Sequence, residues 1–166
     1  MADQAVKIYN LIEAAPEAIV VHCSDPRFQR AFAEFIRDEL KLQDGSFIPL
    51  VISGGVGSLA EPLKLPKEFR FMKERLRMFL ERFESIHRLI LINHEDCRHY
   101  EWLHNYIGRL FLQRFHSLAE RQQADLKKAA ELVLKLTSLK LDLELYYARF
   151  ADARKSKVVF EKVALD

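Results

Sequence analysis

His87-Arg-Leu-Ile-Leu-Ile-Asn-His-Glu-Asp-Cys97 opens with an apolar run that shows no polar face. A strand apolar on both sides has to be covered on both sides, as in a parallel sheet held between two helix layers. Residues 87–92 are therefore expected as a strand, and two side chains able to bind a metal, His94 and Cys97, follow it directly. Upstream, Ala18-Ile-Val-Val21 is a second short β-branched run, bounded by Pro16 and by the turn signal Ser24-Asp25-Pro26. It also leads into a polar cluster, Cys23-Ser-Asp-Pro-Arg27.

The segments around these two strands alternate in type. From Arg27 to about Lys41, Phe28, Ala31, Phe32, Phe35, Ile36 and Leu40 recur at steps of three and four, which predicts an amphipathic helix closed by Gln43-Asp44-Gly45. Phe47–Ile52 reads as a strand, placed at a sheet edge by Pro49, and the loop Ser53-Gly-Gly-Val-Gly57 follows it. A helix is expected over 66–83, further helices over 99–112 and 117–136, and two alternating strands over 141–147 and 157–163 that form a terminal hairpin. Residues 5–14 carry a modest helical pattern ending before Pro16. Strand and helix alternate three times before the hairpin, so a doubly wound α/β fold with a largely parallel sheet and right-handed crossovers is expected. Length predicts one domain over 1–166, with 1–15 as an N-terminal helical arm.

Composition narrows the function. The chain is 49% hydrophobic and 30% charged, with 26 basic against 24 acidic residues and a formal charge of +2, which gives no footprint for nucleic acid or an anionic membrane. The first residues carry no export signal and no apolar run approaches a membrane span, so the expected location is the cytoplasm. There, two cysteines read as thiols or metal ligands and not as a disulfide framework.

Cys23 and Cys97 taken alone would be two buried free cysteines. In a sheet ordered 2-1-3, however, the two clusters lie side by side at the topological switch point, outside the carboxyl ends of the strands. Two thiolates and one imidazole meeting there suit tetrahedral zinc, with the fourth position left to water or to Asp25. Asp25 has a second reading as a cap on the helix that Pro26 begins. His22, His87, His99, His104 and His116 share no metal spacing, and only His99 is placed to line the pocket. The basic stretch of Arg109, Arg114, Arg121, Lys127 and Lys128 reads as a solvated helix face.

Cys-x-Asp-x-Arg after a first strand, followed some seventy residues later by His-x-x-Cys after a third, resembles the β-class carbonic anhydrases, and the order of elements extends the resemblance over roughly residues 18–163. The resemblance implies a three-layer fold with strand order of the 2-1-3-4 type and a C-terminal antiparallel hairpin. It implies one zinc per chain held by Cys23, His94 and Cys97, with Asp25 and Arg27 as a catalytic dyad beside it. The implied activity is that of a carbonate dehydratase-type lyase, the reversible hydration of carbon dioxide to bicarbonate by a zinc-bound hydroxide, in a homodimer or larger homo-oligomer. Gly54, Gly55 and Arg98 would form the substrate side. The alternative is a zinc-binding homologue without hydratase activity, serving as a structural or binding module or hydrolysing another small substrate. The chain departs from the family at Glu95 and Arg98, which replace a small hydroxyl residue and a glycine and are expected to compensate each other as an ion pair. It departs again in the loop after the second strand, where Val51-Ile-Ser53-Gly54-Gly55 stands in place of the family's Arg/Lys-Asn-Ala-Gly type sequence.

Overall fold

A computed structural model of the chain describes residues 7–108, 117–136 and 141–165, the side chains of 103, 104, 106–108 and 136 excepted. The elements run β1 (Ala18–Cys23), α1 (Gln29–Asp38), β2 (Phe47–Ile52), α2 (Gly57–Ala60), α3 (Pro66–Arg82), β3 (Arg88–His94), α4 (Arg98–Gly108), α5 (Leu118–Leu136), β4 (Asp142–Phe150) and β5 (Val158–Lys162). They build one sheet of five strands ordered β2-β1-β3-β4-β5. The first four strands are parallel, and β5 pairs antiparallel with β4. This is the expected α/β architecture with the 2-1-3-4 order and the terminal hairpin.

All six residues of β1 and six of the seven in β3 are buried, because helices cover both faces of these central strands. Side chains alternate between the two layers. Ala18, Val20, Ile90 and Ile92 pack against Phe28, Phe32, Phe35 and Ile36 of the α1 segment. Ile19, Val21, Leu89 and Leu91 pack against Met72, Leu76 and Leu80 of α3 and Leu126, Ala129, Ala130 and Val133 of α5. Each fully buried Val, Leu, Ile, Phe or Met side chain among them contributes about 1.5–3 kcal/mol. Because β2 and β3 flank β1 on opposite sides, the α1 and α3 crossovers leave to opposite faces and open a crevice at the carboxyl ends of β1 and β3.

Residues 7–17 form no helix, contrary to the pattern read over 5–14. Ile8, Tyr9, Leu11 and Ile12 are all exposed, and without an apolar face to bury, so short a segment does not offset the cost of helix nucleation. The arm instead hydrogen-bonds the loop before β2, through Ala15 N–H to Gly45 O at 3.2 Å and Glu17 N–H to Ser46 O at 2.8 Å. Residues 1–6 and the expected helical residues 109–112 lie outside the described part. Pro49 sits in β2, at the free edge of the sheet, where a missing N–H costs no ladder bond.

Candidate metal centre

The period-2 alternation of strands explains how three side chains able to bind a metal converge. Cys23 ends β1 on the face shared with Cys97 and Tyr100, whereas His94 ends β3 on the α1 face, against Phe28 at 4.1 Å between ring centroids. Both strands stop at the same level of the crevice, so the two side chains meet at its floor. Cys97 arrives from the turn that starts α4, its carbonyl accepting the first helical bond from Glu101 N–H at 3.0 Å. The ligand atoms of Cys23, His94 and Cys97 all lie within 4.8 Å of one another, and the sulfurs are 3.8 Å apart. The three residues are 4%, 1% and 2% exposed.

His94 Nδ1 donates to Glu95 O at 2.9 Å, and the buried Nε2 has no hydrogen-bond partner. A proton on Nδ1 leaves Nε2 with a free lone pair, the form in which histidine binds metals. An unpartnered polar atom this deep costs about 1–3 kcal/mol, and a cation between the imidazole and the sulfurs removes that cost. The two sulfurs lie within hydrogen-bonding distance of each other. A hydrogen bond from Cys97 holds the Cys23 thiol far below its ordinary range, helped by His94 and by Gly54 N–H at 3.4 Å, while the same bond and burial push Cys97 up. Two sulfurs and one imidazole nitrogen at these separations fit a tetrahedral zinc site with one position to spare.

Asp25 stands apart from that cluster. Its carboxylate accepts Arg27 Nη2 at 2.7 Å, Arg27 Nε at 3.1 Å and the Arg27 backbone N–H at 3.0 Å. The last bond is an Asx turn, and with α1 starting only at Gln29 no side chain caps that helix, which sets aside the capping role for Asp25. The guanidinium holds the Asp25 carboxyl below the usual carboxylate range. Arg27 is held from its other side by Asp96, through Oδ2 at 3.1 Å and the backbone oxygen at 2.8 Å, and Lys155 Nζ reaches the same carboxylate at 3.0 Å. Asp96 presents both groups by adopting a left-handed φ of 57°, a conformation that aspartate tolerates better than most residues.

Gly54 and Gly55, with φ of 77° and 52°, close the crevice wall. A Cβ on Gly54 would lie 2.1 Å from the His99 ring, and one on Gly55 would lie 3.2 Å from Cys23 N, so close packing as well as the backbone conformation excludes side chains there. His99 takes a hydrogen bond with Ser53 Oγ at 3.2 Å and lines a cleft of about 430 Å³ with Ile52, Ser58, Phe71 and Trp102.

Two expectations are corrected. Glu95 does not pair with Arg98, because its carboxylate accepts Phe150 N–H at 2.8 Å and ties the turn after β3 to the end of β4, while Arg98 stays exposed. Arg121 is not on a solvated face. It is 7% exposed, beside Asp125 at 3.7 Å and Glu61 at 3.8 Å. Arg109, Arg114, His104 and His116 lie outside the described side chains.

Three buried residues of the site carried no signal in the sequence. Asn93 accepts Val56 N–H at 3.4 Å and donates to the Tyr100 hydroxyl at 3.1 Å and to Gln122 O at 2.9 Å. Gln122 Nε2 donates to His94 O at 2.8 Å, and Tyr147 donates to Gln122 Oε1 at 3.0 Å. An Asn, a Gln and a Tyr are common surface residues, so only their burial gives them a role.

No family sequence model matches the chain, and no curated protein matches it in sequence. Among solved structures it is similar to β-carbonic anhydrase isoform I of the protozoan Trichomonas vaginalis, at 12% identity and a TM-score of 0.53, covering 93% of this chain and 87% of the other. It also matches a tetrameric β-carbonic anhydrase of the ascomycete Sordaria macrospora (12% identity, TM-score 0.45, 91% and 84% covered) and the carbonic anhydrase of Streptococcus mutans (15%, 0.41, 96% and 88%). At these identities the likeness concerns the fold: a five-stranded, mostly parallel sheet of the β-carbonic anhydrase type, with a buried Cys-His-Cys cluster at its switch point.

Proposed function

We propose that the chain holds one zinc ion through Cys23, His94 and Cys97 and catalyses the reversible hydration of carbon dioxide to bicarbonate. The observation that carries this reading is the unpartnered Nε2 of His94 facing two buried thiols, with an Asp25–Arg27 pair beside them. Zinc held there supplies a Lewis acid that brings the pKa of water down toward ~7, an effect softened by two thiolates.

The rest of the chemistry falls to the chain itself. Arg27 engages both Asp25 oxygens and keeps the carboxylate out of the Cys-His-Cys cluster, so that Asp25 would not itself ligate a metal held there. Asp25, its carboxyl held low by Arg27, would accept a hydrogen bond from the attacking water and turn it toward the substrate carbon. Gly54 and Gly55 let the loop after β2 pack close beside Cys23 at the edge of the substrate crevice, and Arg98 at the exposed start of α4 attracts bicarbonate. Among the described residues no helix is long and apolar enough to cross a membrane, and the proposed setting is the cytoplasm, where both thiols stay reduced.

The test is zinc content together with stopped-flow carbon dioxide hydration from about pH 6.5 to about pH 9, bracketing the ~7 of activated water. One zinc per chain, turnover rising with pH, and loss of both in Cys97→Ser are expected. One zinc without turnover at any pH would instead establish a zinc-holding module, the reading favoured by the His99 ring packed against Gly54. The proposal extends to a homodimer or larger assembly, since β2 leaves a free edge with Val51 exposed and the arm exposes Ile8, Tyr9, Leu11 and Ile12. Light scattering that returns the monomer mass of 19.5 kDa at working concentration would overturn that part.

A further inference from the structure

Of the three metal-binding side chains, His94 depends most on its surroundings for direction, because an imidazole can rotate and can protonate on either nitrogen. Its ring is held through Nδ1 by the carbonyl of Glu95, one peptide further along, at 2.9 Å, and the peptide joining His94 to Glu95 links the Cα that bears the ring to the Cα that bears this carbonyl, so its plane sets where Nε2 points. That peptide is gripped at both ends. Its N–H, on Glu95, donates to Ala148 O at 2.8 Å, and its carbonyl, on His94, accepts Gln122 Nε2 at 2.8 Å. The first grip is ordinary sheet pairing between β3 and β4. The second comes from α5, and it is the one side-chain bond among the described residues that reaches this carbonyl.

Gln122 is itself locked. It is 1% exposed, its Oε1 accepts the Tyr147 hydroxyl at 3.0 Å, and its backbone oxygen accepts Asn93 Nδ2 at 2.9 Å. Because the His94 carbonyl can only accept, the amide cannot flip: its N–H₂ must face His94 O, and Oε1 is left to accept from Tyr147. The neighbouring Arg121 and Asp125 pin the same turn of α5 beside Glu61 of the loop after α2. A helix remote in sequence from the ligand thus fixes the peptide plane that steers the ligand's ring.

We propose that Gln122 is a positioning residue for His94, setting the imidazole so that Nε2 meets the metal held by Cys23 and Cys97. The inference rests on the metal-binding reading above. Removing an outer partner of a ligand typically lowers metal affinity by about 10–100-fold.

Cobalt(II) serves as the probe, titrated into the reduced, full chain in competition with a chelator of known affinity while the d–d absorption is followed. Gln122→Glu keeps an acceptor for Tyr147 and removes the amide donor. Gln122→Met keeps the length and removes both, and stands in if the glutamate variant does not fold. Tyr147→Phe removes a bond to Gln122 but leaves the donor to His94. Wild type is expected to bind one cobalt with tetrahedral absorption. The Gln122 variants are expected to bind about 10–100-fold more weakly with a displaced d–d band, and Tyr147→Phe to stay within about threefold. A purely structural role would lower the melting temperature without moving the band at saturating cobalt. Unchanged affinity and spectrum in a folded Gln122 variant, or failure of both variants to fold, overturns the inference. Wild type that takes up no cobalt overturns the metal reading itself.

Discussion

Replacing His94 by leucine should be nearly neutral without metal and costly with it. In chelated protein, the substitution removes an orphaned Nε2 whose burial costs about 1–3 kcal/mol. Against this it loses the 2.9 Å bond from Nδ1 to Glu95 O, worth about 0.5–1.5 kcal/mol, and a ring contact with Phe28 worth about 0.5–1.5 kcal/mol. Leucine fills nearly the same volume, so the terms cancel to within about 1 kcal/mol. With zinc at about a thousand times its dissociation constant, wild type gains about 4.1 kcal/mol, and the two thiols left in the variant recover little of it. For a chain of this length, 1 kcal/mol moves the melting temperature by about 2–4 °C, so zinc should raise wild type by about 8–16 °C and His94→Leu by far less. Thermal unfolding by circular dichroism in reductant, with zinc or with chelator, reads both numbers. Equal zinc shifts in the two proteins, or a loss above about 3 kcal/mol in chelated His94→Leu, would refute the argument that this ring serves the metal and adds little to the metal-free fold.

Gly54→Ala should destabilise by about 2–3 kcal/mol in urea unfolding, from the left-handed backbone penalty plus displacement of His99 from Ser53, and a loss below about 0.5 kcal/mol would contradict that packing. The Asp25 carboxyl is held down by Arg27, so its stabilisation is complete above the ordinary carboxylate pKa and fades as pH falls through the lower folded value. Arg27→Met should therefore flatten the acid limb of the stability curve below about pH 4, and an unchanged limb would show the pair to be idle. Asp125 is shifted the other way, up to about 6, chiefly by burial. A raised carboxyl favours the folded state while protonated and costs stability as pH rises from about 4 to about 6, by about 3 kcal/mol for a shift of this size. Asp125→Asn should lose that pH dependence, and a parallel curve for the two proteins would place the titration elsewhere.

The sheet was legible because its signals are local. An apolar run such as Leu89–Ile92 announces a doubly covered strand by composition alone, and Pro49 announces an edge by its missing donor. The Cys-His-Cys cluster was legible because each of its residues ends or closely follows a strand, and strand order brings such ends together. Local pattern misled where partners were distant. The arm has helical spacing but nothing to pack on, and Glu95 and Arg98 are near in sequence while Glu95 bonds Phe150, 55 residues away.

The sequence by itself determined the periodicities, hence which segments become strands and helices and which chemical groups stand at their ends. Tertiary structure alone decided that Asn93, Gln122 and Arg121 are buried and that Gln122 reaches a carbonyl 28 residues away. The reason is physical: propensity and amphipathicity act over a few residues, whereas desolvation and the orientation of a hydrogen bond depend on which surfaces the folded chain brings face to face.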